Sequence, residues 1–276
     1  MARAARAARA PGFGKTSRRD AWWLQPLAVF LVLGGFIVYA TWAAFQNAHY
    51  FSGPYLSPFY SPEIFGASSH AWFGPKPDWF PAWLPFSPAL FILWAPAGFR
   101  LTCYYYRGAY YKAFWADPPS CAVGEPRKGY TGEHGPPLIL QNVHRYFLYL
   151  AIFVLAVLWY DVWKALWFER APTPWRGGVN PLPDTEFGIG LGTLVLALNA
   201  ALLTGYTFGC HSLRHLIGGR VDCLAGKPVK SACYGCVSKL NSKHMLWAWL
   251  SLFSVALADL YVRLMSLGAI ADVRLL

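Results

Sequence analysis

The 276 residues are 56% hydrophobic and only 13% charged, with a mean hydropathy of +0.31, which is too apolar for an ordinary soluble domain. The net charge of +11 would suit a nucleic-acid binder, but bases gathered on one side of a membrane protein are explained by topology and anionic lipid, so nucleic acid is set aside. The apolar residues come in runs of the ~20 that a helix needs to cross a bilayer, and they lack the ~10-residue alternation of a membrane barrel. The fold class expected is all-α: an integral membrane helical bundle of about five transmembrane helices with a cytoplasmic N-terminus.

In chain order, residues 1–20 form a basic arm. The apolar run after it is long enough to span and shows no small-residue cleavage site, which predicts a retained first helix near 22–45. An outer loop, 46–81, is thick with Pro, Ser and aromatics and carries Lys76 as its only base; interfacial Trp and Tyr mark it as an ordered cap. The second span, near 83–100, contains Pro96, which lacks an amide donor and predicts a kink near the inner end. Beyond it, Tyr104, Tyr105, Tyr106, Tyr110 and Tyr111 alternate with Arg107 and Lys112, the pattern of a helix running along the interface. Residues 117–137 read as an irregular loop.

A third span follows near 144–168 and a fourth near 187–208, the latter continuing past Gly209 through Cys210, His211, Arg214 and His215 until Gly218 and Gly219 stop it. A short basic loop with three cysteines leads to the last span, near 245–267. Everything after the arm, 21–276, reads as a single transmembrane domain with inner loops at 101–143 and 210–244. The arm, the stretch from Arg100 to Arg145 and that from Cys210 to His244 together hold 18 of the 24 Lys and Arg, which places all three on the cytoplasmic side of the membrane.

All six cysteines and five of the seven histidines (His134, His144, His211, His215 and His244) fall in those cytoplasmic segments, where disulfides are disfavoured and metal binding or plain packing remains. One candidate ligand set sits at helix ends: Cys103, His144, Cys210, His211, His215 and His244. The fallback is Cys233 and Cys236, a CxxC pair without a second pair at matching spacing. Two thiolates with two imidazoles is the ligand set of a Rieske-type [2Fe-2S] cluster; haem b, which wants facing imidazoles, is the alternative, and structural zinc takes the same donors. Asp259 and Arg263, four apart in the last span, are expected to form an ion pair, or with Asp161 a proton path.

The strings FRLTCYYYRGAYY (Phe99 to Tyr111), QNVHRYFLY (Gln141 to Tyr149), CHSLRHLIGG (Cys210 to Gly219) and HMLWAWLSLFSVALADLYVRL (His244 to Leu264) resemble the membrane-anchor subunit of a bacterial succinate:quinone oxidoreductase, over about residues 86 to 268. The resemblance implies that the chain holds a flavoprotein and an iron-sulfur subunit on the inner face and passes electrons from succinate to a quinone. It makes His144, His215 and His244 the positions to suspect as cofactor ligands. The chain departs from the two-haem pattern, because only His49 and His70 are available on the outer side, both in the loop.

A quinone needs a flat pocket, hydrogen-bond donors to its carbonyls and a proton source, and Tyr106, Arg107, Arg145, Tyr146, Ser212, Arg214 and Trp247 near the inner interface offer such groups. With no flavin or dinucleotide fingerprint, this non-flavin subunit is expected to be inactive alone. A metal-handling transporter using CHSLRH and CxxC is the rival from another class, although paired half-repeats are not visible. The number of protomers is open, and a higher oligomer is compatible with everything above.

Overall fold

A computed structural model describes residues 12–126, 138–169, 185–219 and 223–276. Most of the basic arm, His134 and much of the irregular loop lie outside the described residues. Four helices are long and apolar enough to cross a membrane: Leu24–Gln46 (α1), Gln141–Lys164 (a short 3-10 turn leading into α5, His144–Lys164), Leu191–Phe208 (α6) and His244–Ser266 (α9). At 1.5 Å per residue, the 23 residues of α1 and of α9 each reach about 35 Å, enough for the hydrocarbon core. Large apolar side chains that a soluble protein would bury, such as Leu31, Val38, Phe153, Leu198 and Leu257, are exposed along these helices and form the lipid-facing surface.

The second predicted span is shorter and broken: α2 covers Pro88–Ile92 and α3 covers Trp94–Leu101. Pro96 has no N–H to donate to Ile92 one turn earlier, and its ring crowds that carbonyl, so the helix re-starts just before the proline. The pair is only about 21 Å long, shorter than the hydrocarbon core of a bilayer.

By its internal contacts the chain divides into two units, Met1–Val38 with Arg100–Val143, and Tyr39–Phe99 with His144–Leu276. In the first, the end of the basic arm is tied to the loop after the tyrosine-rich segment. Gly14 N–H donates to Gly124 O, Gly124 N–H donates to Lys15 O, and Arg18 reaches Ser120 Oγ at 2.8 Å. The tyrosine-rich run is helical as expected, α4 from Tyr104 to Tyr110 followed by a π turn over Tyr111–Trp115, and Gln141 donates to Tyr110 Oη at 2.6 Å.

In the second unit α6 packs along α9 and α5. The buried face of α5 (His144, Leu148, Ala151, Leu155, Leu158, Val162) and that of α9 (Ala248, Ser251, Leu252, Ala258, Asp259, Val262) step by three and four residues, one stripe of each helix. Small residues on both let the backbones approach, and Ser254 donates to Asn199 Oδ1 between α9 and α6.

The outer loop is an ordered cap on this unit. Strands β1 (Phe51–Ser52) and β2 (Tyr55–Leu56) make a hairpin, Tyr50 stacks on Tyr60 at 4.1 Å, and Tyr55 closes a core of Val162, Ala165, Leu196, Ala200, Ala258 and Val262. Polar groups tie the cap to the helix ends. Asp259, fully buried, accepts from Tyr39 Oη (2.6 Å), Ser57 and Arg263 Nε (3.4 Å), while Arg263 also donates to Ala48 O. The expected ion pair therefore forms, and Asp161 accepts from Ser61 of the cap. A second outer hairpin pairs β3 (Trp167–Glu169) with β4 (Thr185–Phe187).

At the opposite end the fourth span does not run on as one helix. It stops at Phe208, and a new helix, α7, covers His211–Gly218. A Cβ on Gly209 would lie 2.7 Å from Gly205 O and 3.2 Å from Leu240 O, and Asn241 Nδ2 donates to Gly209 O at 2.8 Å. The chain can turn there because glycine admits a neighbouring backbone. The segment expected as a basic loop is largely helical too, α8 spanning Pro228–Ser242.

Candidate cofactor and quinone site

Four aromatic rings from four helices stack at the end of the second unit that carries α7 and α8. His144, the first residue of α5 and buried, lies face to face on Phe99 of α3, with centroids 4.6 Å apart and planes within 10°. Phe99 meets the edge of Tyr206 of α6 at 5.4 Å, and Tyr206 stacks on His244, the first residue of α9, at 5.1 Å and 14°. His144 Nε2 lies 3.1 Å from Cys210 Sγ. Cys210 is 1% exposed and caps α7, its sulfur accepting the Ser212 amide at 3.3 Å. The sulfur thus sits between a backbone amide donor and an imidazole nitrogen.

Trp247, one turn along α9 from His244, lies over Gly205, where a Cβ would come within 2.9 Å of the indole. Its Nε1 is buried and meets no acceptor among the described residues. An indole N–H only donates, so this group calls for an acceptor.

A second group lies apart, on α7 and α8. His211 Nε2 and His215 Nε2 are 2.9 Å apart, both residues are exposed, and they line a pocket of about 390 Å³ with Arg214, Cys223, Leu224 and Tyr234. Burial, with His215 and Arg214 adding to it, pulls the His211 imidazole below its ordinary range. Arg214 donates to Ser238 Oγ at 3.1 Å and lies over the Tyr234 ring.

Residues 24–268 match the family described as actinobacterial succinate dehydrogenase subunit SdhC. The chain belongs to that family. Among solved structures it is similar to a chain of the Mycobacterium smegmatis Sdh1 complex in the apo form, at 41% identity and a TM-score of 0.84, covering 99% of this chain and 98% of the other. No curated protein matches it. The chain is thus a membrane-anchor subunit of succinate dehydrogenase, a multi-pass protein of the bacterial inner membrane.

Within this anchor subunit the helix-end histidines that the sequence groups together fall into two sets. His144 and His244 join the ring stack with Cys210, whereas the break at Gly209 turns His211 and His215 onto the surface pocket. Cys103 is buried as the residue capping α4 in the first unit. Cys233 and Cys236 are exposed and lie three apart on a helix, not in a loop.

Of the groups expected around a quinone, Trp247 and Ser212 adjoin the stack, and Arg214 belongs to the surface pocket. Arg145 and Tyr146 are exposed on the first turn of α5. In the first unit Tyr106 accepts from Arg100 at 2.9 Å and Arg107 lies over Tyr104. Sequence reasoning did not single out Phe99, Tyr206 or Gly205. The two aromatics do carry a signal, each standing four residues before a helix-end cysteine, Cys103 or Cys210.

Among the described residues no three His, Cys, Asp or Glu side chains are arranged to hold a metal ion. The donors gathered at the stack, one thiol and two imidazoles, are types that iron accepts in a cluster or, for the imidazoles, in a haem. An imidazole nitrogen and a thiol converge at Cys210, while the faces of both imidazoles are taken up by Phe99 and Tyr206.

Proposed function

We propose that the chain docks the flavoprotein and iron-sulfur subunits of succinate dehydrogenase on the inner face of the membrane and delivers their electrons to a quinone beside the ring stack. The reading rests on the buried contact of His144 with Cys210 inside that stack, at the end bearing Arg214, Lys227, Lys230, Lys239 and Lys243. Bases at the ends of the helices suit both the inner leaflet and a docked partner.

The cofactor in this reading is a Rieske-type [2Fe-2S] cluster drawing on His144, His244 and Cys210. Such a cluster supplies one-electron transfer at a potential raised by its histidine ligands. The protein's own part is to hold the imidazoles by stacking and the thiol by the Ser212 amide. Trp247 Nε1 then donates to a quinone carbonyl, and the lipid-facing side of α9 leaves a path for the isoprenoid tail.

Iron and acid-labile sulfide in the purified complex test the assignment. Both should be present in the wild type with a Rieske-like paramagnetic resonance signal, and both should fall with Cys210→Ser. Full retention of iron and sulfide in that variant removes Cys210 as a ligand, and a sharp reduced α band in the wild type replaces the cluster by haem b.

A further inference from the structure

At the outer end of the second unit, a pocket of about 280 Å³ opens between the cap and the end of α5. Its walls include His70 of the cap, Tyr160, Trp163 and Lys164 of α5, and Trp167 and Glu169 of β3. Trp163 and Trp167 meet edge to face at 5.7 Å, and both are substantially exposed, as is Tyr160, so the pocket mouth is an aromatic surface at headgroup depth.

The polar groups here form a donor-acceptor pattern that the described residues do not complete. His70 is only 5% exposed, and its Nε2 lies 3.3 Å from Gly53 O. A carbonyl only accepts, so Nε2 carries the proton of the neutral ring, and Nδ1 is left as a bare acceptor. That atom is buried and meets no donor among the described residues. Burial, reinforced by the Lys164 cation, holds the ring below its ordinary range and so in this neutral form. Among the described residues the pocket therefore offers one cation, Lys164, and two acceptors, His70 Nδ1 and the exposed Glu169 carboxylate.

We propose that this pocket binds the headgroup of an anionic phospholipid that carries free hydroxyls, of the phosphatidylglycerol kind. Its phosphate pairs with Lys164, its hydroxyls donate to His70 and Glu169, and its acyl chains run down the lipid face of α5 past Tyr160. A headgroup with phosphate alone satisfies the cation and leaves the buried His70 acceptor without a donor, while the exposed Glu169 carboxylate turns to water. One with hydroxyls satisfies all three groups, and an unmet buried acceptor is costly enough to favour it.

Two lipids of equal charge separate these cases: phosphatidylglycerol, and phosphatidylmethanol, which has no headgroup hydroxyl. Retention of each by the detergent-purified complex is read by native mass spectrometry. Phosphatidylglycerol should be retained about fivefold more tightly, the difference one hydrogen bond makes. His70→Phe should abolish the preference while both lipids still bind, and Lys164→Gln should weaken both. Equal retention of the two lipids by the wild type overturns the proposal without recourse to any variant. So does a preference that survives His70→Phe, or a co-purified hydroquinone found in place of phospholipid.

Discussion

Trp247 places a buried indole donor beside the ring stack, and its only chemistry is to give a hydrogen bond. Trp247→Phe keeps the ring against Gly205 and removes the N–H. If that group holds a quinone carbonyl, the KM for quinone should rise roughly five- to tenfold with little change in kcat. Succinate oxidation with a soluble dye as acceptor should be unchanged, which separates loss of quinone binding from loss of assembly. An unchanged KM would remove Trp247 from the site. The histidines are held differently. His144 and His244 are fixed by stacking on Phe99 and Tyr206, so the rings are oriented before any ligand arrives. Orientation of this kind is what a relay between partners at fixed distance requires.

Helix packing turns on a few small residues. At Gly205 an added Cβ meets the Trp247 ring at 2.9 Å, whereas at Gly34 of α1 nothing lies within 4 Å. Gly205→Ala should therefore cost about 1–3 kcal/mol through overpacking, seen as a lower unfolding temperature of the purified complex. The same change should raise the KM for quinone, because it displaces Trp247. Gly34→Ala should do neither, since its new methyl group points into open space. Gly209 works at a different level: it ends α6 and lets α7 begin at Cys210, so it decides which face of the protein His211 and His215 occupy. The sequence expectation of one continuous helix failed here because a helix signal is local. The neighbours that Gly209 admits include Leu240 O, about thirty positions away.

At the scale of the molecule, the outer cap ties the second unit together through buried polar contacts to Asp161, Asp259 and Arg263, and His70 adds a pH dependence to its stability. The folded state holds the His70 imidazole below its ordinary range through burial and Lys164, opposed by Glu63 and Glu169. As pH falls below the ordinary histidine value of about 6.5, the unfolded chain takes up a proton first, so stability is fully present above that value and declines below it. Thermal unfolding of the complex at pH 7.5 and pH 5 should show this loss, and His70→Gln should reduce the difference between the two; an equal difference in the variant would place the acid sensitivity elsewhere.

The membrane class was legible in the sequence alone. Hydropathy and chain length against bilayer thickness act residue by residue, with no need for distant partners. The resemblance of the four strings to a succinate:quinone oxidoreductase anchor led to the same family that the match over residues 24–268 establishes. The tertiary structure alone decided that Cys210 meets His144. It also decided that Phe99 and Tyr206, neither among the candidate ligands, hold the two histidines. These outcomes depend on which helix ends arrive at the same depth and on where one backbone blocks another. Such distances are set by packing between segments far apart in the chain, and local composition does not encode them.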